Sequence, residues 1–195
     1  KRYTNKRRYK LNKIIGWLLG LIARIPPRNF EKTLEATLRV LSDWPDYSVD
    51  ALCLFGRAKG DDRGTLFDFV KRFINNGKAR NVLINGSKGE RQGGSIAGES
   101  WVGGEVFKER LKERCVSESE IHLSEPAFNT ADEAEKFLKY ALSKNWNSVV
   151  LVAWPHQMLR CLGSMVNAMQ KSGSYINVYC VCPQKCEWLE EVAGS

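Results

Sequence analysis

The chain lacks the short motifs by which many enzymes declare their chemistry. The glycine-rich stretch Gly89-Glu90-Arg91-Gln92-Gly93-Gly94 has no lysine followed by serine or threonine, and no G-x-G-x-x-G follows the first apolar run. These absences argue against a P-loop ATPase and an ordinary NAD enzyme, whose phosphate cradles require those residues. No G-x-S-x-G is present, which lowers the case for an α/β-hydrolase. The six cysteines, Cys53, Cys115, Cys161, Cys180, Cys182 and Cys186, contain no C-x2-C pair and have no histidine nearby, so no metal is expected. Cys53, Cys161 and Cys180 fall in apolar segments, as reduced, buried thiols in a reducing compartment do.

Acidic residues are missing from residues 1–28, which hold nine of the 30 basic ones: Lys1, Arg2, Lys6, Arg7, Arg8, Lys10, Lys13, Arg24 and Arg28. The rest of the chain keeps 21 basic against 22 acidic residues, so the net charge of +8 belongs to this segment. Residues 1–28 therefore read as a basic arm and residues 29–195 as one near-neutral domain, for which nucleic acid is not the favoured partner. Leu11, Ile14, Ile15, Leu18, Leu19, Ile22 and Ile25 recur at helical spacing before Pro26-Pro27. Such a helix is about 22 Å long, too short for a hydrocarbon core of about 30 Å. It suits an amphipathic helix on an anionic membrane surface, or equally one packed on its own domain or a partner subunit. The first residue is not methionine, which is consistent with processing or truncation.

What remains is a regular alternation. After a helical pattern over 30–42, apolar runs at 49–55, 81–84, 121–123, 149–153 and 176–181 read as strands. Helical spacing fills 66–74, stopped by Asn76-Gly77, and then about 99–114, 130–142 and 155–171. Asn129 or Thr130 caps the third of these helices. Strands alternating with helices of this length predict right-handed βαβ units, and hence an α/β fold with a doubly wound, mostly parallel sheet.

In such sheets ligands bind beyond the carboxyl ends of the strands, and the unusual residues collect there. Gly56 and Arg57 follow the first strand, and Gly86 and Ser87 the second, with Glu99 opening the next helix. Glu125, Asn129, Thr130 and Glu133 follow the third, and His156 follows the fourth with Arg160 one turn later. His156 and Arg160, spaced i, i+4, share a helix face in or next to a first turn whose N–H groups favour an anion. They could bind phosphate or carboxylate, or supply a proton and stabilise developing charge. A surface histidine beside a solvated arginine fits the spacing equally well. Glu99, Glu125 and Glu133 are candidate acid, base or hydroxyl-binding groups, although a lone glutamate is more often simply solvated.

Taken in order, strand–Gly56, strand–Asn85-Gly86-Ser87, Gly98-Glu99, Glu125-x3-Asn129-Thr130-x2-Glu133-Ala134, then Val150-Leu151-Val152 leading to His156-x3-Arg160, the pattern resembles the YdcF-like family, which includes the SanA and ElyC envelope proteins. The resemblance covers about residues 49 to 183. It implies a Rossmann-like sheet whose polar residues share one cleft: His156, Arg160, Glu99 and Glu125 as catalytic candidates, with Gly56, Arg57, Gly86, Ser87, Asn129, Thr130 and Glu133 binding the ligand. It also implies a role in cell-envelope metabolism, with S-adenosylmethionine or a phosphorylated envelope intermediate as the small anionic or nucleotide-like ligand. The chain has Asn85-Gly86-Ser87 where the family usually has Ser-Gly-Gly, and Ala153-Trp154-Pro155 where a Thr-Ser pair is common. Trp154 would narrow the pocket or offer a stacking face. The competing expectation is a non-catalytic structural subunit that uses its basic arm to attach to membrane, RNA or a partner. The thiols favour the cytoplasm, with membrane association through the arm, whereas the envelope relatives favour the opposite face.

Overall fold

The computed structural model describes residues 45–56, 65–88 and 102–183, and of His156 the backbone alone. All of these lie in one unit of the chain, Val40–Ser195. The basic arm and the helix expected over 30–42 lie outside the described residues.

Five strands, β1 Val49–Leu54, β2 Ala79–Ile84, β3 Ile121–Leu123, β4 Ser148–Val152 and β5 Asn177–Val181, form one sheet in the order β3-β2-β1-β4-β5. Every pairing is parallel. Four helices connect them: α1 Thr65–Asn75, α2 Gly104–Glu113, α3 Thr130–Ser143 and α4 Pro155–Ser172. The central strands are apolar along nearly their whole length because both sheet faces are covered. All five residues of β4 are buried, and so is all of β1 except Asp50.

Alternate residues serve alternate layers. Cys53, Leu83 and Leu151 face α3 and α4 and pack with Phe137, Leu138, Met158, Cys161 and Met165. Leu52, Val82 and Val150 face the other way, against Leu66, Phe67 and Val70 of α1 and Phe107 and Leu111 of α2. Each such side chain fully removed from water contributes roughly 1.5–3 kcal/mol. Together the layers make the doubly wound, Rossmann-like α/β fold. Among the described residues no helix is long and apolar enough to cross a membrane.

Helix α1 ends at the expected Asn76-Gly77. Gly77 has φ 65, its N–H donates to the Ile74 carbonyl at 2.9 Å, and the Lys78 N–H donates to Phe73 at 3.0 Å. This double bond pattern satisfies the last free carbonyls of a helix. The same pattern ends α2 and α3, but with Cys115 at φ 64 and Asn145 at φ 56 in the left-handed position. Asparagine tolerates that conformation, whereas cysteine bears a Cβ clash costing roughly 1–2 kcal/mol. Cys115 is exposed and packs little. Cys115→Gly is therefore expected to raise stability by about 1 kcal/mol in a denaturant melt; an unchanged or lowered midpoint would contradict this.

One expected boundary is corrected. The second helix does not run from Glu99, because Gly103 sits at φ 100 and the helix begins at Gly104. That dihedral lies far outside the right-handed helical region, so a helix cannot pass through it. The doubly wound sheet is as expected, and among the described residues every strand pairing is parallel.

Candidate functional site

The strand order reverses direction at β1. From β1 the chain moves outward through β2 to β3, then crosses back to β4 and β5 on the other side. The helices that follow β1 and β4, α1 and α4, pack on opposite faces of the sheet, and in α/β sheets such a switch point is where ligands bind beyond the carboxyl ends of the strands. Around it lie Gly56 after β1, Asn85-Gly86-Ser87 after β2, the start of α3, and Trp154-Pro155 opening α4.

Asn85 organises the end of β2. It is 1% exposed, and its Oδ1 accepts from the Ser87 and Ala127 N–H groups, each at 3.0 Å. Its Nδ2 donates to the Ala127 carbonyl at 3.0 Å. One amide side chain thus replaces a strand neighbour and binds the loop after β3 to the end of β2. Gly86 and Gly104 let the backbones close on this point. A Cβ on Gly86 would lie 2.2 Å from the Ser124 carbonyl oxygen, and one on Gly104 would lie 2.3 Å from that of Asn85. The Gly104 N–H donates to the Ser87 carbonyl at 3.0 Å, joining the first turn of α2 to the same junction.

Glu133 organises the end of β1. It projects from the first turn of α3, is 5% exposed, and accepts the Gly56 N–H through Oε1 at 2.8 Å. Burial pushes its carboxyl up to about 8, and hydrogen bonds from Gly56 and the Asn85 side chain only partly oppose that rise. Asp132 adds a smaller push in the same direction. Among the described residues no salt bridge reaches it. It therefore carries its proton near neutral pH. Burial raises the Cys53 thiol as well, and Glu133 adds to that rise once it ionises, so that cysteine is not a nucleophile.

The structure thus gathers Gly56, Gly86, Ser87 and Glu133 at adjoining strand ends, with Asn129 and Thr130 opening α3 just above Glu133. Asn129 is the helix cap: its Oδ1 accepts from Ala131 at 3.0 Å and Asp132 at 2.9 Å. The Glu125 side chain has other partners. It is exposed and clamped by Lys136 at 2.9 Å and by Lys139, whose hydrogen bonds hold its carboxyl down to about 2. A carboxylate held so low is a weak proton acceptor at neutral pH. His156 is the second residue of α4, after Pro155, and Arg160 is exposed one turn further on. Arg57 and Glu99 lie outside the described residues.

Two features are not evident from the sequence pattern. Gly104 closes the first turn of α2 on the end of β2, and the pair Gly103-Gly104 is its one visible signal. The other is a polar relay that links β2, β3 and α3. The His122 Nε2 lies 2.9 Å from Asn81 Oδ1 and its Nδ1 lies 3.0 Å from the Tyr140 hydroxyl. An amide oxygen only accepts, so Nε2 carries the hydrogen and Nδ1 accepts from Tyr140. Burial and Lys144 lower the His122 pKa, which keeps the ring neutral. Packed against Tyr140 and Trp146, this histidine is a structural tie between β3 and α3.

No metal cluster of three or more His, Cys, Asp or Glu side chains occurs among the described residues. No known family model matches the chain, and no curated protein matches it.

Proposed function

We propose that this domain binds a small anionic or nucleotide-like ligand in the crevice over the carboxyl ends of β1 and β4. The observation that carries this reading is the reversal of strand order between those two strands, with α4 opening directly after β4. The first turn of α4 has no side-chain cap, and the Gln157 and Met158 N–H groups already bond the Trp154 carbonyl. The partial positive charge of that helix end favours an anion, and Arg160 adds a full charge one turn along. The junction built by Asn85, Gly86 and Glu133 gives the crevice a rigid wall, which lowers the ordering cost of binding.

The YdcF-like resemblance supports the same crevice, and it adds S-adenosylmethionine and phosphorylated envelope intermediates to the ligands worth testing. We assign binding and no reaction, since the carboxylate of Glu125 is engaged with Lys136 and Lys139. The buried free thiols Cys53, Cys161 and Cys180 suit a reducing compartment, so we place the domain on the cytoplasmic side, with residues 1–28 as its attachment to an anionic surface or partner.

Thermal melts with S-adenosylmethionine, nucleotides and sugar phosphates test the reading. A ligand at a hundred times its Kd adds about 2.7 kcal/mol, which raises the Tm of a domain this size by roughly 5–10 °C. A panel in which none of these shifts the melt overturns it.

A further inference from the structure

The loop from Ser124 to Asn129 is held along its length. The Ser124 N–H donates to the Ile84 carbonyl at 2.8 Å, and Ser124 closes on Gly86. Ala127 is fully buried and bonded in both directions to Asn85. The Phe128 N–H donates to Asp132 Oδ2 at 3.0 Å, and Asn129 caps α3. Yet the Phe128 side chain is 60% exposed.

Its place follows from the ties on either side. Ala127 is fastened to the end of β2 through Asn85, and Glu133 to the end of β1 through Gly56. Phe128 lies in the chain between these fastenings, one at the end of β2 and the other at the end of β1. The other exposed aromatic side chains among the described residues, Tyr47 and Tyr175, precede β1 and β5 and so belong to the opposite edge of the sheet. A single exposed phenylalanine is unremarkable on a mobile loop. On a clamped backbone at the carboxyl rim it is a pre-organised flat surface, which a ring can cover at small entropic cost.

We propose that Phe128 is a stacking platform for the planar ring of the ligand, and that the ligand class is a nucleoside phosphate rather than a simple phosphate or sugar phosphate. This rests on the reading of the crevice given above. The anion occupies the α4 end of the crevice, and the base lies back over the loop that carries Phe128.

Calorimetric titration of the full chain with the common ribonucleoside diphosphates, and with inorganic pyrophosphate as the ring-free reference, tests it. At least one nucleoside diphosphate is expected to bind about tenfold more tightly than pyrophosphate, the effect of one stacked base. Phe128→Ala should abolish that preference and leave pyrophosphate binding and the Tm unchanged, while Phe128→Trp retains the preference. If pyrophosphate binds as tightly as every nucleoside diphosphate, or if Phe128→Ala leaves the preference intact, the platform is overturned and the anion site stands. If neither pyrophosphate nor any nucleoside diphosphate binds, the reading of the crevice fails and the platform with it.

Discussion

Replacing Gly86 or Gly104 by alanine lowers stability by about 3 kcal/mol or more, a large fraction of the total stability of a domain. The new methyl carbon would lie 2.2 Å from the Ser124 carbonyl oxygen in one case and 2.3 Å from that of Asn85 in the other. Both obstacles are backbone atoms, so no side chain can swing aside. Relief requires separating β2 from the loop after β3, or from the first turn of α2. Either movement breaks bonds at the junction, such as Ser124 N–H to Ile84 or Gly104 N–H to Ser87. Gly163 is the matched control, since a Cβ there meets nothing within 4 Å in the middle of α4. Gly163→Ala is expected to gain roughly 0.5–1 kcal/mol from helix propensity. Urea melts of the three variants check this, and similar midpoints for all of them would remove the claim that the strand ends are closed on each other.

Glu133→Gln is expected to change how stability depends on pH. In the folded protein the Glu133 carboxyl keeps its proton up to about 8, whereas its ordinary value is 4.5. Between those values the unfolded chain has released a proton that the folded chain still holds. Stability then falls as pH rises through this window, is unaffected by the group below it, and bears the full cost above it. That cost is on the order of 4 kcal/mol if the whole shift is realised. Glutamine keeps a carbonyl oxygen for the Gly56 N–H and cannot ionise. The variant should therefore lack this decline and outlast the parent above pH 8, by roughly 10 °C in Tm. Parallel pH profiles for the two proteins would mean that Glu133 is ionised in the fold and matched by a charge. Lys136 and Lys139 are not that charge, since they are engaged with Glu125.

The parts of the molecule legible in the sequence were those set by neighbouring residues. Ser148-Val149-Val150-Leu151-Val152 can only be a strand covered on both faces, and Asn76-Gly77 stops a helix by its own dihedral preference. Thr130 to Ser143 could be placed as a helix because Asn129 caps it from the adjacent turn. The onset of α2 was misplaced because acidic and apolar residues before Gly103 resemble a helix start, and only the φ of Gly103 shows the break.

The candidate site was less legible because its bonds join residues far apart in the chain. Asn85 stands in the sequence only as the first residue of the Asn85-Gly86-Ser87 strand end, and its partner Ala127 is 42 residues away. Glu133 resembled a solvated glutamate until α3 folded it against Gly56, 77 residues before it. Glu125 showed the converse: its pairing with Lys136 and Lys139 depends on the loop bending back along α3, which local spacing does not reveal. Those distant partners decide which carboxyl is neutral and which stays charged.

The central claim is that the anion site lies over the carboxyl ends of β1 and β4. Titrating isotope-labelled protein with pyrophosphate while following backbone amide resonances tests it most directly. Progressive, saturable shifts concentrated at Gly56, Trp154, His156 and Gln157 are expected. Shifts clustered instead at Lys78, Asn147 and Ile176, on the opposite edge of the sheet, or no shifts at all, would contradict it.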